Sequence, residues 1–105
     1  RDFKSDILYD IITCDVSFIS IHHILDNINN LAKKDIIILF KPQYEVGKDI
    51  KRDKNGVVLD TKAIEKVREY FINKCFEYGW KIIKTNISKI KGKKGNIEEL
   101  FYFQK

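Results

Sequence analysis

The sequence predicts an α/β fold of order β-α-β-α-β-β, with the last strand antiparallel. Three observations carry that prediction. Residues Ile36 to Phe40 form an unbroken apolar run that meets Lys41 and Pro42 at once. A run rich in β-branched residues and lacking alternation reads as a buried strand, and Pro42, with no N–H to donate, ends it. Two stretches of helical spacing flank this strand, whereas the final two strand-like runs are joined by a loop alone.

The elements follow in order. Arg1 to Asp6 is a polar lead-in, and Ile7 to Cys14 reads as a strand with Asp15 at its end. After a short turn at Val16-Ser17-Phe18, a helix is predicted from about Ile19 to Lys33. There Ile21, Ile24, Leu25, Ile28 and Leu31 make one apolar stripe, and Lys33 and Lys34 close the helix, since cations suit a helix C-terminus. Gln43 to Val58 is a long irregular stretch of the kind that is usually functional or mobile. Asp60 or Thr61 caps a second helix that runs to about Tyr78, with Ile64, Val67, Phe71 and Cys75 on its buried face and Gly79 as a left-handed C-terminal cap. Trp80 to Ile87 and Ile97 to Gln104 read as the last two strands. Strands connected through helices pair in parallel with right-handed crossovers; the two connected by the basic loop Ser88 to Gly95 should be antiparallel.

The totals bound the function. With 105 residues, 44% of them hydrophobic and 33% charged, the chain is one small globular domain and not a disordered one. No apolar run reaches membrane-spanning length and no signal peptide opens the chain, so a cytoplasmic location is expected. Arg1 opens the sequence and methionine is absent, which implies a piece of a longer protein. The net charge of +5 favours an anionic partner, RNA or DNA ahead of a membrane surface, although solubility alone accounts for so modest an excess. Cys14 and Cys75 lie in apolar surroundings without metal-ligand spacing and read as buried free thiols of a reducing compartment. His22-His23 has no third ligand and reads as structural.

Lys41 is predicted at the carboxyl end of its strand, the rim where open α/β sheets bind ligands. Position alone allows a solvated strand-end charge as readily as a functional group. No G-x-G-x-x-G cofactor turn occurs. The first strand has the apolar character of an interior strand, so an exposed edge there should be covered, by a missing N-terminal half or by a second copy in a homodimer.

Four blocks stand in order: Asp15-Val16-Ser17-Phe18-Ile19-Ser20; Lys41-Pro42-Gln43-Tyr44-Glu45-Val46-Gly47; Gly56-Val57-Val58; and Lys91-Gly92-x-x-Gly95-Asn96-Ile97-Glu98. Together, over nearly the whole chain, they resemble the TlyA family of FtsJ-like RNA methyltransferases, often labelled hemolysins. The resemblance implies the C-terminal half of a Rossmann-like methyltransferase domain that uses S-adenosylmethionine, with the S4-like RNA-binding domain and the cofactor glycine loop absent. It implies 2′-O-methylation of ribosomal RNA through a Lys-Asp-Lys-Glu tetrad. Asp15 matches the aspartate, Lys41 the second lysine and Glu98 the glutamate; the first lysine has no counterpart in this sequence.

In that chemistry a ribose hydroxyl must lose its proton, and a neutral Lys41 amine is the expected acceptor. An ordinary lysine, with a pKa of about 10.4, must be shifted downward for that task. Asp15 and Glu98 are expected to orient the ammonium groups and the ribose. Asp15 and Phe18 are the expected cofactor contacts, and Lys89, Lys91, Lys93 and Lys94 the expected RNA phosphate contacts. Each has a plainer reading: Asp15 as a helix cap, Glu98 as a solvated strand residue, Phe18 as core, the lysines as a solvated loop. Glu99 should point away from Glu98. Trp80, Phe101 and Phe103 read as packing. A non-catalytic RNA-binding module is the second hypothesis. Membrane lysis ranks last, because no helix has a strongly apolar, basic-rimmed face.

Overall fold

The structure, a computed structural model, describes residues 8–17, 19–87 and 95–105. Strand β1 is Tyr9–Cys14, helix α1 Leu25–Leu31, strand β2 Ala32–Phe40, helix α2 Thr61–Glu77, strand β3 Lys81–Ile87 and strand β4 Glu99–Gln104. They form one four-stranded sheet in the order β1-β2-β4-β3. β1 pairs with β2 in parallel, and β4 runs antiparallel to both β2 and β3. This is the predicted β-α-β-α-β-β arrangement, consistent with a Rossmann-like methyltransferase fold. The last strand inserts between β2 and β3, so it is central in space although final in sequence.

The core lies where the two helices meet one face of the sheet. Ile36, Ile38 and Phe40 of β2 and Phe101 and Phe103 of β4 are buried against Phe71 and Cys75 of α2 and Leu25 and Ile28 of α1. Phe40 stacks on Phe71 at 4.7 Å between ring centroids, and Phe101 meets the same ring edge-on at 5.1 Å. Such offset and edge-to-face contacts are the favoured geometries of aromatic quadrupoles. Trp80 is buried, donates to Asn29 Oδ1 at 2.9 Å and packs on Phe103, so it serves the core as expected.

The first helix differs from the prediction. The segment from Ile19 to Lys33 divides into a single 3-10 turn, Ile21–His23, and a short α1, and β2 begins already at Ala32. The apolar stripe survives the break, with Ile21, Leu25 and Ile28 all buried. Lys33 and Lys34 belong to β2 and do not close the helix. The closing cation is Lys105 from the other end of the chain, whose Nζ donates to the carbonyls of Asn29 at 2.8 Å and Ala32 at 3.1 Å. Pairing with β1 and β4 satisfies the backbone here, which outweighs a helical pattern rich in asparagine, a poor helix former.

The second helix follows the prediction closely. Asp60 caps it by accepting from the Ala63 N–H at 3.0 Å, and Gly79, at φ +83°, ends it in the left-handed region that favours glycine. β1 is the sheet edge, and Tyr9 and Ile11 are more than half exposed in the single chain. Cys14 is half-buried and Cys75 fully buried, and both are free thiols. Burial pushes the Cys75 thiol up to about 12.

Candidate active site

Register brings the three expected catalytic positions to one end of the sheet. Cys14 of β1 pairs with Ile38 of β2, so Asp15 leaves its strand at the end where Lys41 leaves β2. Phe40 pairs with Glu99 of the antiparallel β4, so Lys41 and Glu98 each lie one residue past that pair. Parallel pairing on one side of β2 and antiparallel pairing on the other therefore align two strand exits with one strand entry.

The side chains meet in two groups. The Lys41 ammonium forms an ion pair with the Asp15 carboxylate and donates to Ser17 Oγ at 3.0 Å. The Lys41 side chain is only 12% exposed, whereas that of Asp15 is 64% exposed, so the carboxylate faces outward and the ammonium sits beneath it. Glu98 does not join this pair directly. It is buried, and its Oε2 accepts from Gln43 Nε2 at 2.9 Å. Glu98 also lines a pocket of about 350 Å³ with Phe40, Pro42, Arg68, Ile97 and Glu99. Glu99 is held in a two-point pair by Arg68 of α2, at 2.7 and 3.0 Å, which engages it away from Lys41. The solvated-strand reading of Glu98 thus fails on its burial, and the helix-cap reading of Asp15 fails because Ser20 caps the following turn.

The residues that build this rim were only partly visible in the sequence. Ser17, Gln43 and Glu45 carried no expected role, yet each joins two distant segments. The Glu45 side chain, 6% exposed, accepts from Ser20 Oγ at 2.6 Å and the Ile21 N–H at 2.8 Å. Lys41, Gln43 and Glu45 thus reach the end of β1, the entry to β4 and the start of the Ile21–His23 turn respectively. The one available signal was their spacing of two along a stretch that follows a strand. The loop from 43 to 58 is similarly tied down. Arg52 donates to the carbonyls of Gln43 and Gly47, and Asp53 Oδ1 accepts from the Asn55 and Val57 N–H groups. Asn96, also buried, accepts from the Val58 N–H and donates to the Gly56 carbonyl, joining the third and fourth sequence blocks.

His22 packs on Tyr70 with ring centroids 4.9 Å apart, and its buried Nδ1 has no partner among the described residues. Burial is the main cause that holds its pKa below the ordinary histidine value, with Glu45 opposing. Phe18, Lys89, Lys91, Lys93 and Lys94 lie outside the described residues. Among the described residues no group of His, Cys, Asp and Glu is arranged to hold a metal ion, and no helix is long and apolar enough to cross a membrane.

A family model described as FtsJ-like methyltransferase matches residues 2–105. The chain belongs to the FtsJ-like methyltransferase family. Its homology is to the TlyA-type members. It is 55% identical over all its 105 residues to the 23S rRNA (cytidine-2'-O)-methyltransferase TlyA of Campylobacter jejuni, covering 42% of that protein. It is 37% identical over 98% of its length to Hemolysin A of Brachyspira hyodysenteriae, covering 43% of it. A solved structure from Streptococcus thermophilus, described as a hemolysin, superposes with a TM-score of 0.82 at 33% identity, over 96% of this chain and 37% of that one. The chain therefore spans about two fifths of the length of these curated relatives.

The family implies S-adenosylmethionine as the cofactor. The outward-facing Asp15 carboxylate at a strand end is suited to a cationic sulfonium or amino group.

Proposed function

We propose that this chain is the catalytic C-terminal part of an S-adenosylmethionine-dependent enzyme that methylates a ribose 2′-hydroxyl of ribosomal RNA. The single observation that carries the reading is the Lys41 ammonium at the strand rim, paired with Asp15 and Ser17, with the buried Glu98 carboxylate across the same sheet end.

When bound, S-adenosylmethionine supplies a methyl group made electrophilic by its sulfonium. The chain's own residues supply alignment and proton handling. Asp15 and Ser17 engage two directions on Lys41 Nζ; the third faces the ribose hydroxyl, and once the ammonium has released one proton to solvent that direction carries the lone pair. As a neutral amine, Lys41 accepts the hydroxyl proton as the oxygen becomes a nucleophile. Asp15 fixes the direction of Nζ and, with Phe18 three residues on, contacts the cofactor. Glu98 orients the ribose from the β4 side. Lys89, Lys91, Lys93 and Lys94 hold RNA phosphates beside the reacting nucleotide. The edge of β1, exposed among the described residues, pairs with the preceding part of the protein or with a second copy, and the enzyme acts in the cytoplasm.

The test is transfer of tritiated methyl groups from S-adenosylmethionine to ribosomal subunits by the full-length parent protein. Label on a ribose 2′-oxygen is the expected result. RNA binding without label would favour the non-catalytic module, and vesicle leakage without label the membrane-active reading.

A further inference from the structure

We propose that Gln43 is a positioning residue of this site, one that fixes the Glu98 carboxylate through its side-chain amide. The inference rests on the ribose-methyltransferase reading and adds to it a residue outside the expected tetrad.

The geometry is specific. Gln43 is 6% exposed and Glu98 is 8% exposed, and the amide Nε2 donates to the carboxylate Oε2 at 2.9 Å. The other end of the amide, Oε1, is buried with no hydrogen-bond partner among the described residues. A buried amide that satisfies its donor and leaves its acceptor unpaired is uncommon and costly, and a catalytic role is one of the reasons such a group is kept. The amide is also held from behind. Its own backbone carbonyl accepts from Arg52 Nη2 at 2.9 Å, and the turn that carries it, Pro42–Tyr44, is anchored two residues on by Glu45. These bonds fix the backbone from which the Gln43 side chain reaches Glu98.

A neutral donor suits the task better than a cation. An arginine would draw Glu98 into a closed ion pair, as Arg68 does for Glu99. The amide fixes the direction of the carboxylate and leaves its full negative charge for a ligand. The charged groups around the same pocket are Glu65 and Arg68 of α2 and Glu99 of β4, and Arg68 is already engaged by Glu99. Glu98 thus has two further carboxylates near it, and the Gln43 amide is the donor that holds it. Lys41 and Gln43, two residues apart, would then control one acid each: Asp15 from the β1 side and Glu98 from the β4 side.

Two substitutions in the full-length parent protein test this. Gln43→Met keeps length and removes the donor. Its methyl-transfer kcat should fall about tenfold to a hundredfold, the scale of a misplaced reacting geometry. Affinity for S-adenosylhomocysteine, read by calorimetry, should stay at the wild-type value. Gln43→Glu sets a second carboxylate against Glu98. The facing pair shares a proton, so the acidic limb of the pH–rate profile should move to higher pH and activity should recover as pH rises. Wild-type kcat in both variants would overturn the inference. So would activity loss that only tracks the folded fraction with an unmoved pH profile, because that is what a structural role predicts. A wild-type enzyme that labels no ribosomal RNA overturns the methyltransferase reading itself; an active wild type with indifferent variants overturns the Gln43 role alone.

Discussion

The two ends of β2 use the same chemical parts to opposite effect. Near its start, Asp35 Oδ1 accepts from Tyr102 Oη at 2.7 Å and from Gln104 Nε2 at 3.1 Å, and Gln104 also donates to Tyr102. A carboxylate, a phenol and an amide close on one another. Those donors hold the Asp35 carboxyl below the usual carboxylate range, and Asp35 in turn raises the Tyr102 phenol. At the far end, the Asp15 carboxylate is mostly exposed, the Gln43 amide oxygen has no partner among the described residues, and a pocket opens beside Glu98. A closed network serves stability; one with unpaired polar groups at a sheet's carboxyl rim is where a ligand can complete it.

Substitutions that separate activity from stability would break or sharpen this contrast. The largest effect should come from Lys41→Ala in the full-length protein. Methyl transfer should drop by about 10²–10⁴-fold, the range for loss of a proton-transfer group, with S-adenosylhomocysteine binding intact by calorimetry. Near-normal turnover would remove Lys41 from the chemistry.

Phe71→Ala should follow. Phe71 is fully buried and contacts Phe40, Phe101 and Phe103. Its truncation should destabilise the fold by about 3–5 kcal/mol, read by thermal or denaturant unfolding. Because Phe40 precedes Lys41 directly, activity should be lost only together with the fold.

A smaller effect is expected at the closed end. Asp35 has a depressed carboxyl, so its stabilising contribution is fully present above the ordinary aspartate value of about 3.9 and is lost as pH falls through the lower folded value. Asp35→Asn should lower the melting temperature at pH 7, and the gap to wild type should shrink below about pH 4. Methyl transfer per folded molecule should be unchanged. His22 gives a second pH signature. Its pKa is lowered by burial, so the unfolded chain takes up a proton first, and stability should decline as pH falls below about 6.5. His22→Gln should flatten that decline in melting temperature between pH 7 and 5.

The smallest effect concerns the thiols. Cys75, fully buried with its thiol pushed up to about 12, should resist alkylation in the folded protein, while half-buried Cys14 reacts measurably faster. Mass spectrometry after timed iodoacetamide treatment distinguishes them. Equal rates would mean that α2 opens as readily as the strand end.

Much of this was legible in the residues. The stop at Lys41-Pro42, the Asp60 cap, the Gly79 terminator and the alternation of Phe101 and Phe103 with Leu100 and Tyr102 all follow from local rules, and the structure agrees with each. The short α1 was not legible, because its end depends on strand partners and on Lys105, which is more than seventy residues away. The apolar run of β2 read as buried on both faces. In this chain the helices cover one face, and Ile37 and Leu39 on the other stay only partly buried.

Sequence alone determined which residues form strands and helices and where most of them stop, because caps, prolines and side-chain periods act within a few residues. It also set the charge types available at each strand end. Only the tertiary structure decided that β4 would insert beside β2, bringing Glu98 opposite Lys41, and that Gln43 would be the group to hold it. Strand order is a choice among long-range pairings, and the energies that make it come from faces and edges that no local pattern encodes.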